Sequence, residues 1–446
     1  MGKGAMNDNQ KRLAQLYEEI HSEWVKAAAR QAGDVSSWTR RRTMPLEDIL
    51  MCTLAKKGLS TIMELRQYFQ AAKNMEQTVS KQDYLRQRQK LNPAVFSILN
   101  RNYLKRFYAG AEAHTWRDYL VCAVDGSRAE IPNSEENRQV YGESVNKYGK
   151  AVARANISAL HDVFNRFVLD IGIHHYRDSE IAEAKANIGA LREITGDRPV
   201  LIMFDRNYAS LEFVDFLEKS GVKYLIRLHK DDYAAERAGM RCNDGEVELA
   251  YTKHRLRTLH KKSPQRAAEL EQRQPVRVRI IQTVFANGEP AALMTNLNEG
   301  SAGEIKRLYR KRWSIEKKYH TLKNKLKFES VTGKASIYVA QDFFAQLLVF
   351  NMVQDLIASA EFRAAKKAKK KRLKYAIRIN ENIAIGLFKE QFICLMMEED
   401  DRLKEDIYKQ LIANMERNIV PVRKLKSAPR KWKYFNKYKC NLKPAF

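Results

Sequence analysis

Three acidic residues far apart in the chain, Asp125, Asp205 and Glu316, have the types and settings needed to hold divalent cations at a phosphodiester. Each aspartate closes a continuous apolar run, Tyr119–Val124 for the first and Pro199–Phe204 for the second. Apolar runs without alternation signal strands covered on both faces, and ligand sites in α/β sheets gather at the carboxyl ends of strands. If the two strands are neighbours, their carboxylates stand side by side and repel. A bound cation relieves that repulsion. Oxygen donors without Cys or His nearby favour Mg²⁺, with Mn²⁺ able to substitute. Glu316 would complete the set, and two ions about 4 Å apart can serve both the attacking and the leaving oxygen. The spacings are 205 − 125 = 80 and 316 − 205 = 111 residues. Taken alone the aspartates are a weak signal, because Asp125-Gly126 equally opens a turn and Asp205 equally caps a helix.

Glu316 needs an element to carry it. The stretch Ser301–Phe328 reads as one helix, opened by a capping box of Ser301 and Glu304. At helical period, Tyr309, Arg312, Glu316, His320 and Lys323 share one narrow arc. Leu308, Ile315, Leu322 and Leu326 form an adjacent apolar stripe, while Lys311, Lys318 and Lys325 point away from both. A solvated ridge laced with ion pairs fits the same arc. Trp313 lies off the arc and is expected to pack against the core or the insertion.

The remaining elements follow in chain order. Residues 7 to about 112 have helical periodicity, with Gly58 between two short helices that fit a helix-turn-helix or a plain hairpin. Arg40, Arg41 and Arg42 follow Trp38 and suit phosphate contact or a solvated connector. From Trp116 to Leu228 the order reads β-β-β-α-β-α-β, an α/β layer fold. Val247–Tyr251, Val276–Phe285 and Ala291–Thr295 read as strands of an inserted β-rich piece, with Asn287-Gly288 as a hairpin turn. Val339–Ala360 and Glu381–Glu398 read as apolar helices, and Ala364–Lys374 is a cationic run. The tail interleaves bases with Trp432, Tyr434, Phe435 and Tyr438, which suits nucleic acid. The corresponding regions are 1–115 (helical, DNA-binding), 116–228 (core), 229–297 (insertion), 298–360 (core) and 361–446 (basic, helical).

Composition narrows the partners. The 446 residues carry 80 Lys and Arg against 53 Asp and Glu, a net charge of +27, which points to a polyanion. No apolar run is expected to reach the ~20 residues of a spanning helix, and the polar N-terminus lacks a secretory apolar segment. Five scattered Cys without a C-x-x-C pair argue against a zinc site or a disulfide framework. The adjacent His174 and His175 point to opposite strand faces and have no metal-site spacing.

The chain resembles DDE transposases of bacterial insertion sequences, specifically the insertion-sequence-four family. That family carries Y-x-x-R-x-x-x-E-x-x-x-x-x-x-K, matched here by Tyr309, Arg312, Glu316 and Lys323. Val124-Asp125-Gly126-Ser127 with Ile131-Pro132 resembles the setting of its first aspartate. Asp205-Arg206-Asn207-Tyr208 is similar to its Asp-Arg-Gly-Tyr, with Asn207 in place of the glycine, a residue that tolerates left-handed backbone. The resemblance covers most of the chain. It implies an RNase H-like core interrupted by a β-rich insertion, with helical N- and C-terminal regions. It implies a Mg²⁺-dependent transposase that binds transposon ends, cleaves them through Asp125, Asp205 and Glu316, and transfers the freed 3′-OH into target DNA. It implies DNA contacts for Tyr309, Arg312 and Lys323, a homodimer on DNA, and a bacterial cytoplasmic, nucleoid-associated setting. A metal-dependent DNA nuclease on the same core, or a catalytically silent DNA-binding derivative, would share these features. Neither the terminal repeat nor the target preference is legible.

Overall fold

The computed structural model describes residues 7–40, 43–73, 76, 79–145, 148–285, 288–326, 329–370 and 375–422. Asn287, Arg41, Arg42, part of the 364–374 cationic run and the aromatic tail fall outside them. The chain is a mixed α/β protein with a large central mixed sheet and many helices. Its strands are β1 (Leu120–Glu130), β2 (Glu143–Val145), β3 (Ala151–Asp162), β4 (Val168–His175), β5 (Val200–Phe204), β6 (Lys223–Leu228), β7 (Asp244–Leu249), β8 (Val276–Val284), β9 (Pro290–Thr295), β10 (Ile377–Ile379) and β11 (Ile419–Pro421). Two compact units divide the chain. The first comprises Met1–Arg106, Ala129–Ala155 and Tyr319–Phe446, and the second Phe107–Arg128 and Asn156–Lys318.

Nine strands form one sheet, in the order β2-β3-β1-β5-β6-β9-β8-β7 with β4 also paired to β3. β1 pairs with β5 in parallel, and β5 pairs with β6 in parallel. All five residues of β5 are buried, as are Leu120 to Val124 of β1. These are the apolar runs of the sequence, covered on both faces as such strands require. The amphipathic helix Leu211–Lys219 buries Leu211, Phe213, Val214 and Leu217, with Phe213 edge-on to Phe204 at 5.1 Å.

Two departures from the sequence reading matter for the site. β1 does not end at Asp125 but continues through Gly126 to Glu130. The inserted strands form no sheet of their own. β9 lies antiparallel against β6 and β8 against β9, so they extend the central sheet. The charged stretch between them folds into two short helices, Arg257–Lys262 and Pro264–Glu271.

The first unit is helical. Its axis is the 35-residue helix Ser336–Lys370. Ser336–Ala368 is by length and composition apolar enough to cross a membrane, contrary to the expectation that no such run exists, but 83% of its apolar window is buried by protein. The buried polar groups of this helix are paired. Asp342 receives Arg88 Nη2 at 2.8 Å, Lys56 Nζ at 2.5 Å and the Thr332 amide at 2.6 Å. The preceding residue, Gln341, accepts from Arg88 Nε at 2.9 Å and donates to the carbonyls of Arg88 and Leu91. Asp355 takes a two-pronged contact from Arg12, at 2.9 and 2.8 Å, and the Tyr103 hydroxyl at 2.6 Å. Flanking helices Glu381–Met397 and Asp401–Arg417 are bracketed by the small antiparallel pair of β10 and β11.

Candidate active site

The register of two strands places the first two carboxylates. Leu120 pairs with Val200, and the offset of 80 residues holds through Ala123 and Met203. Extending that offset two residues sets Asp125 level with Asp205, on parallel neighbours that run about 4.8 Å apart. Each carboxylate is fixed by local backbone. Asp125 Oδ1 accepts from the Gly126 amide at 3.0 Å, and Asp205 Oδ1 from the Asn207 amide at 2.8 Å. The latter caps a 3₁₀ turn, Arg206–Tyr208. Asn207 shows no positive φ, so the left-handed tolerance expected of it is not used.

The third carboxylate arrives on a helix that is not the single regular α-helix the periodicity predicts. Ser301 caps Ala302–Tyr309 with the capping box intact. The backbone then tightens into a 3₁₀ turn over Arg310–Trp313, returns to α over Ser314–His320, and widens into a π turn over Thr321–Lys325. The apolar stripe survives, with Leu308, Ile315, Leu322 and Leu326 all buried. Trp313 does not pack inward: the tightened turn carries it to the surface, where it is 48% exposed. Lys325, expected to face solvent, pairs with Glu381 at 2.8 Å.

Arg312 is the centre of the site's charge. Its Nη1 lies 3.5 Å from Asp125 Oδ2 and its Nη2 3.8 Å from Glu316 Oε1. Burial works against its charge, but Tyr309, Asp125, Asp205 and Glu316 together hold its pKa above the ordinary value. Burial pushes Asp125 up to about 6. Arg312 opposes the rise, and Asp205 and Glu316 add to it. One guanidinium therefore faces three carboxylates. Among the described residues, the oxygens of the three do not gather within 4.8 Å of one another, a closeness reached instead by His174, Asp178 and Glu183. Arg312 lies between Asp125 and Glu316 and accounts for part of that spread.

Tyr309 is buried, and its hydroxyl donates to the Phe204 carbonyl at 3.0 Å, holding the end of β5 rather than standing open for a phosphate. Burial raises its pKa to about 12. Its ring stacks on Phe285 at 6.2 Å and 10°, and Arg227 covers Phe285 at 4.9 Å. Together with Asp205, Arg206, Arg312 and Trp313 these side chains line an open cleft of about 560 Å³. Phe285 and Arg227 escape sequence reasoning, and Arg206 figures there only within the Asp205-Arg206-Asn207-Tyr208 resemblance. The available signal was an aromatic directly before a hairpin turn.

Asp125, Asp205, Tyr309, Arg312 and Glu316 thus share the second unit. Lys323 belongs to the first, half-buried, its pKa lowered by burial against the fields of Glu329 and Glu130. Arg40 is also in the first unit, where it lines a cleft of about 700 Å³ with Lys26, Lys90 and Trp38. Arg41 and Arg42 lie outside the described residues.

Residues 116–352 match the transposase DDE domain family, 237 of the 446 residues. No curated protein matches the chain. Among solved structures, a cryo-EM piggyBac transposase synaptic complex with hairpin DNA aligns over 91% of this chain and 83% of its own, at 10% identity and a TM-score of 0.39.

Proposed function

The chain belongs to the transposase DDE domain family and is a DDE transposase; within that family, we propose, it is an insertion-sequence-four-type enzyme whose Asp125, Asp205 and Glu316 hold divalent ions at a DNA strand. The observation that carries this assignment is the shared 80-residue offset of β1 and β5, which sets two carboxylates side by side, with Arg312 between the first of them and Glu316. The strand order β4-β3-β1-β5-β6 supports an RNase H-like core.

DDE transposases use divalent metals. The donor set here fits them: three carboxylates against one guanidinium, with neither Cys nor His among the five residues of the site. When bound, a pair of such ions, Mg²⁺ or Mn²⁺ for all-oxygen donors, activates the attacking oxygen and stabilises the leaving one. The chain's own residues do the rest. Asp125, with a pKa of about 6, is mostly ionised at neutral pH and loses its grip on cations in mild acid. Arg312 offsets part of the negative charge in the free protein and offers its planar fork to a phosphate at the cut. Tyr309 fixes the end of β5 beside Asp205. The cleft walled by Phe285 and exposed Trp313, with Arg206 and Arg227, takes an unpaired nucleotide of the DNA end, where stacking contributes roughly 1–3 kcal/mol per base. Lys323 and Arg40, the latter with Lys26 and Lys90, contact backbone phosphates.

The reaction is cleavage at transposon ends followed by attack of the freed 3′-OH on target DNA. Two ends must be held at once, so the working form is a homodimer on DNA in the bacterial nucleoid. The test is a gel assay with labelled end DNA, Mg²⁺ and target plasmid. Strand-joined products are expected. Cleavage without joining would make the chain a nuclease, and binding without cleavage a silent derivative.

A further inference from the structure

We propose that His174, Asp178 and Glu183 form a second divalent-cation site, of mixed nitrogen and oxygen donors, where β4 passes into the helix Glu180–Gly189. Their ligand atoms lie within 4.8 Å of one another. Atoms bound to one ion at about 2.1 Å sit at most about 4.2 Å apart, so a small side-chain rotation closes the set.

Three further observations point to a ligand. First, the His174 ring folds back along its own strand face onto Gly172, where a Cβ would fall 1.9 Å from Nε2. Any side chain at 172 would drive the imidazole away, so the glycine makes the slot. Second, His174 Nε2 is buried without a hydrogen-bond partner, a cost that a bound ion would relieve. Third, Glu183 is only 3% exposed, and its hydrogen bonds come from the neutral Asn156 amide at 3.0 and 3.2 Å. Burial raises its pKa to about 7, Asn156 opposing and Asp178 and Glu180 adding. A buried carboxylate beside a second carboxylate is the setting a cation relieves.

Asp178 is held ready. Its Oδ2 accepts from the His175 amide at 3.1 Å, which anchors the turn between strand and helix. Imidazole with two carboxylates selects a first-row divalent ion such as Zn²⁺ or Mn²⁺ over Mg²⁺. The site's position gives it a use. Glu180, in the first turn of the same helix, rests its carboxylate against Gly126, next to Asp125. An ion joining β4 to this helix fixes the wall behind the first catalytic carboxylate.

The experiment uses the full chain and Mn²⁺ as probe. Electron spin-echo spectra of the first equivalent bound should show ¹⁴N modulation from an imidazole, which the all-oxygen triad would not give. The modulation should persist in Asp125→Asn, and should vanish in His174→Ala with one fewer tightly bound Mn²⁺. Asp178→Asn, an exposed change whose amide oxygen can still accept from the His175 amide, should weaken this ion at least tenfold. Absence of ¹⁴N modulation in the parent chain, its persistence in His174→Ala, or unchanged affinity in Asp178→Asn would each overturn the site. Because the readout is a nitrogen signature, it stands or fails independently of the strand-joining assay.

Discussion

In the first unit Asp342 lies between Arg88 and Lys56; in the second, Arg312 lies between Asp125 and Glu316. The groups are the same and the balance is reversed. Asp342 is fully buried, outnumbered by cations, and also holds a backbone amide. Burial acts to raise its pKa, yet Arg88 and Lys56 hold it well below the usual carboxylate range. Arg312 is outnumbered by carboxylates, its contacts are longer, and Asp125 stays above the usual range. The first arrangement closes on its cations and a backbone amide, as a group that holds the fold does; the second sets several carboxylates around one guanidinium, the imbalance on which the proposed ion-binding role draws.

Four substitutions press on this contrast. The largest effect belongs to Glu316→Gln, which keeps shape and loses charge. End cleavage should fall at least about 10⁴-fold, ~5 kcal/mol of barrier, while DNA binding in a gel shift survives. Retained cleavage would remove Glu316 from the chemistry.

Next comes Asp342→Asn, which strands two buried cations. A loss of roughly 3–5 kcal/mol in denaturant unfolding is expected, with cleavage per folded molecule unchanged. A neutral outcome would erase the contrast from its structural side.

Asp125→Asn should act in the opposite direction on stability. The folded carboxyl titrates near 6 and the unfolded one near 4. Between those values the folded state holds more protons, so stability falls as pH rises through the window. Removing the charge in the ion-free protein should therefore raise stability at pH 7 by up to about 2–3 kcal/mol, and the gain should disappear below about pH 4. For Asp342, with its lowered pKa, the sign is reversed: its contribution is present above the unfolded value and lost as pH falls. Thermal melts from pH 2 to 8 separate the two, the Asp125 effect falling between about pH 4 and 6 and the Asp342 effect below about pH 4.

The smallest effect serves as the baseline. Arg277 and Glu248 pair across β7 and β8 at 3.1 Å, both well exposed. Arg277→Ala should change stability by no more than about 0.5 kcal/mol; a larger loss in the same melts would mean that surface pairs rival the buried centres.

How much of this was legible in the sequence follows from what leaves a local trace. The runs Tyr119–Val124 and Pro199–Phe204 announce their strands because burial on both faces demands unbroken apolar residues. The capping box at Ser301 is equally local. The extension of β1 through Gly126-Ser127-Arg128 carries no apolar signal and went unread. Pairing of β9 with β6 joins residues some 70 positions apart, and no short pattern encodes which edge an inserted strand will find. Periodicity set Tyr309, Arg312 and Glu316 on one arc, and Arg312 does reach Glu316 at 3.8 Å. It could not reveal where the backbone tightens or widens, because those shifts depend on packing. His174, Asp178 and Glu183 were passed over because their approach depends on a strand folding its imidazole back over a glycine.

The π turn at Thr321–Lys325 bears on how this protein can vary. Such a turn holds one residue more than the regular spiral needs. Deleting a single residue there should let it relax to ordinary winding and leave Ser314–His320, with its carboxylate, undisturbed. The same deletion within Arg310–Trp313, already wound tight, has no slack to draw on and would swing Glu316 about 100° around the axis. Length variation among kin of this chain should therefore be forgiven after the glutamate and purged before it.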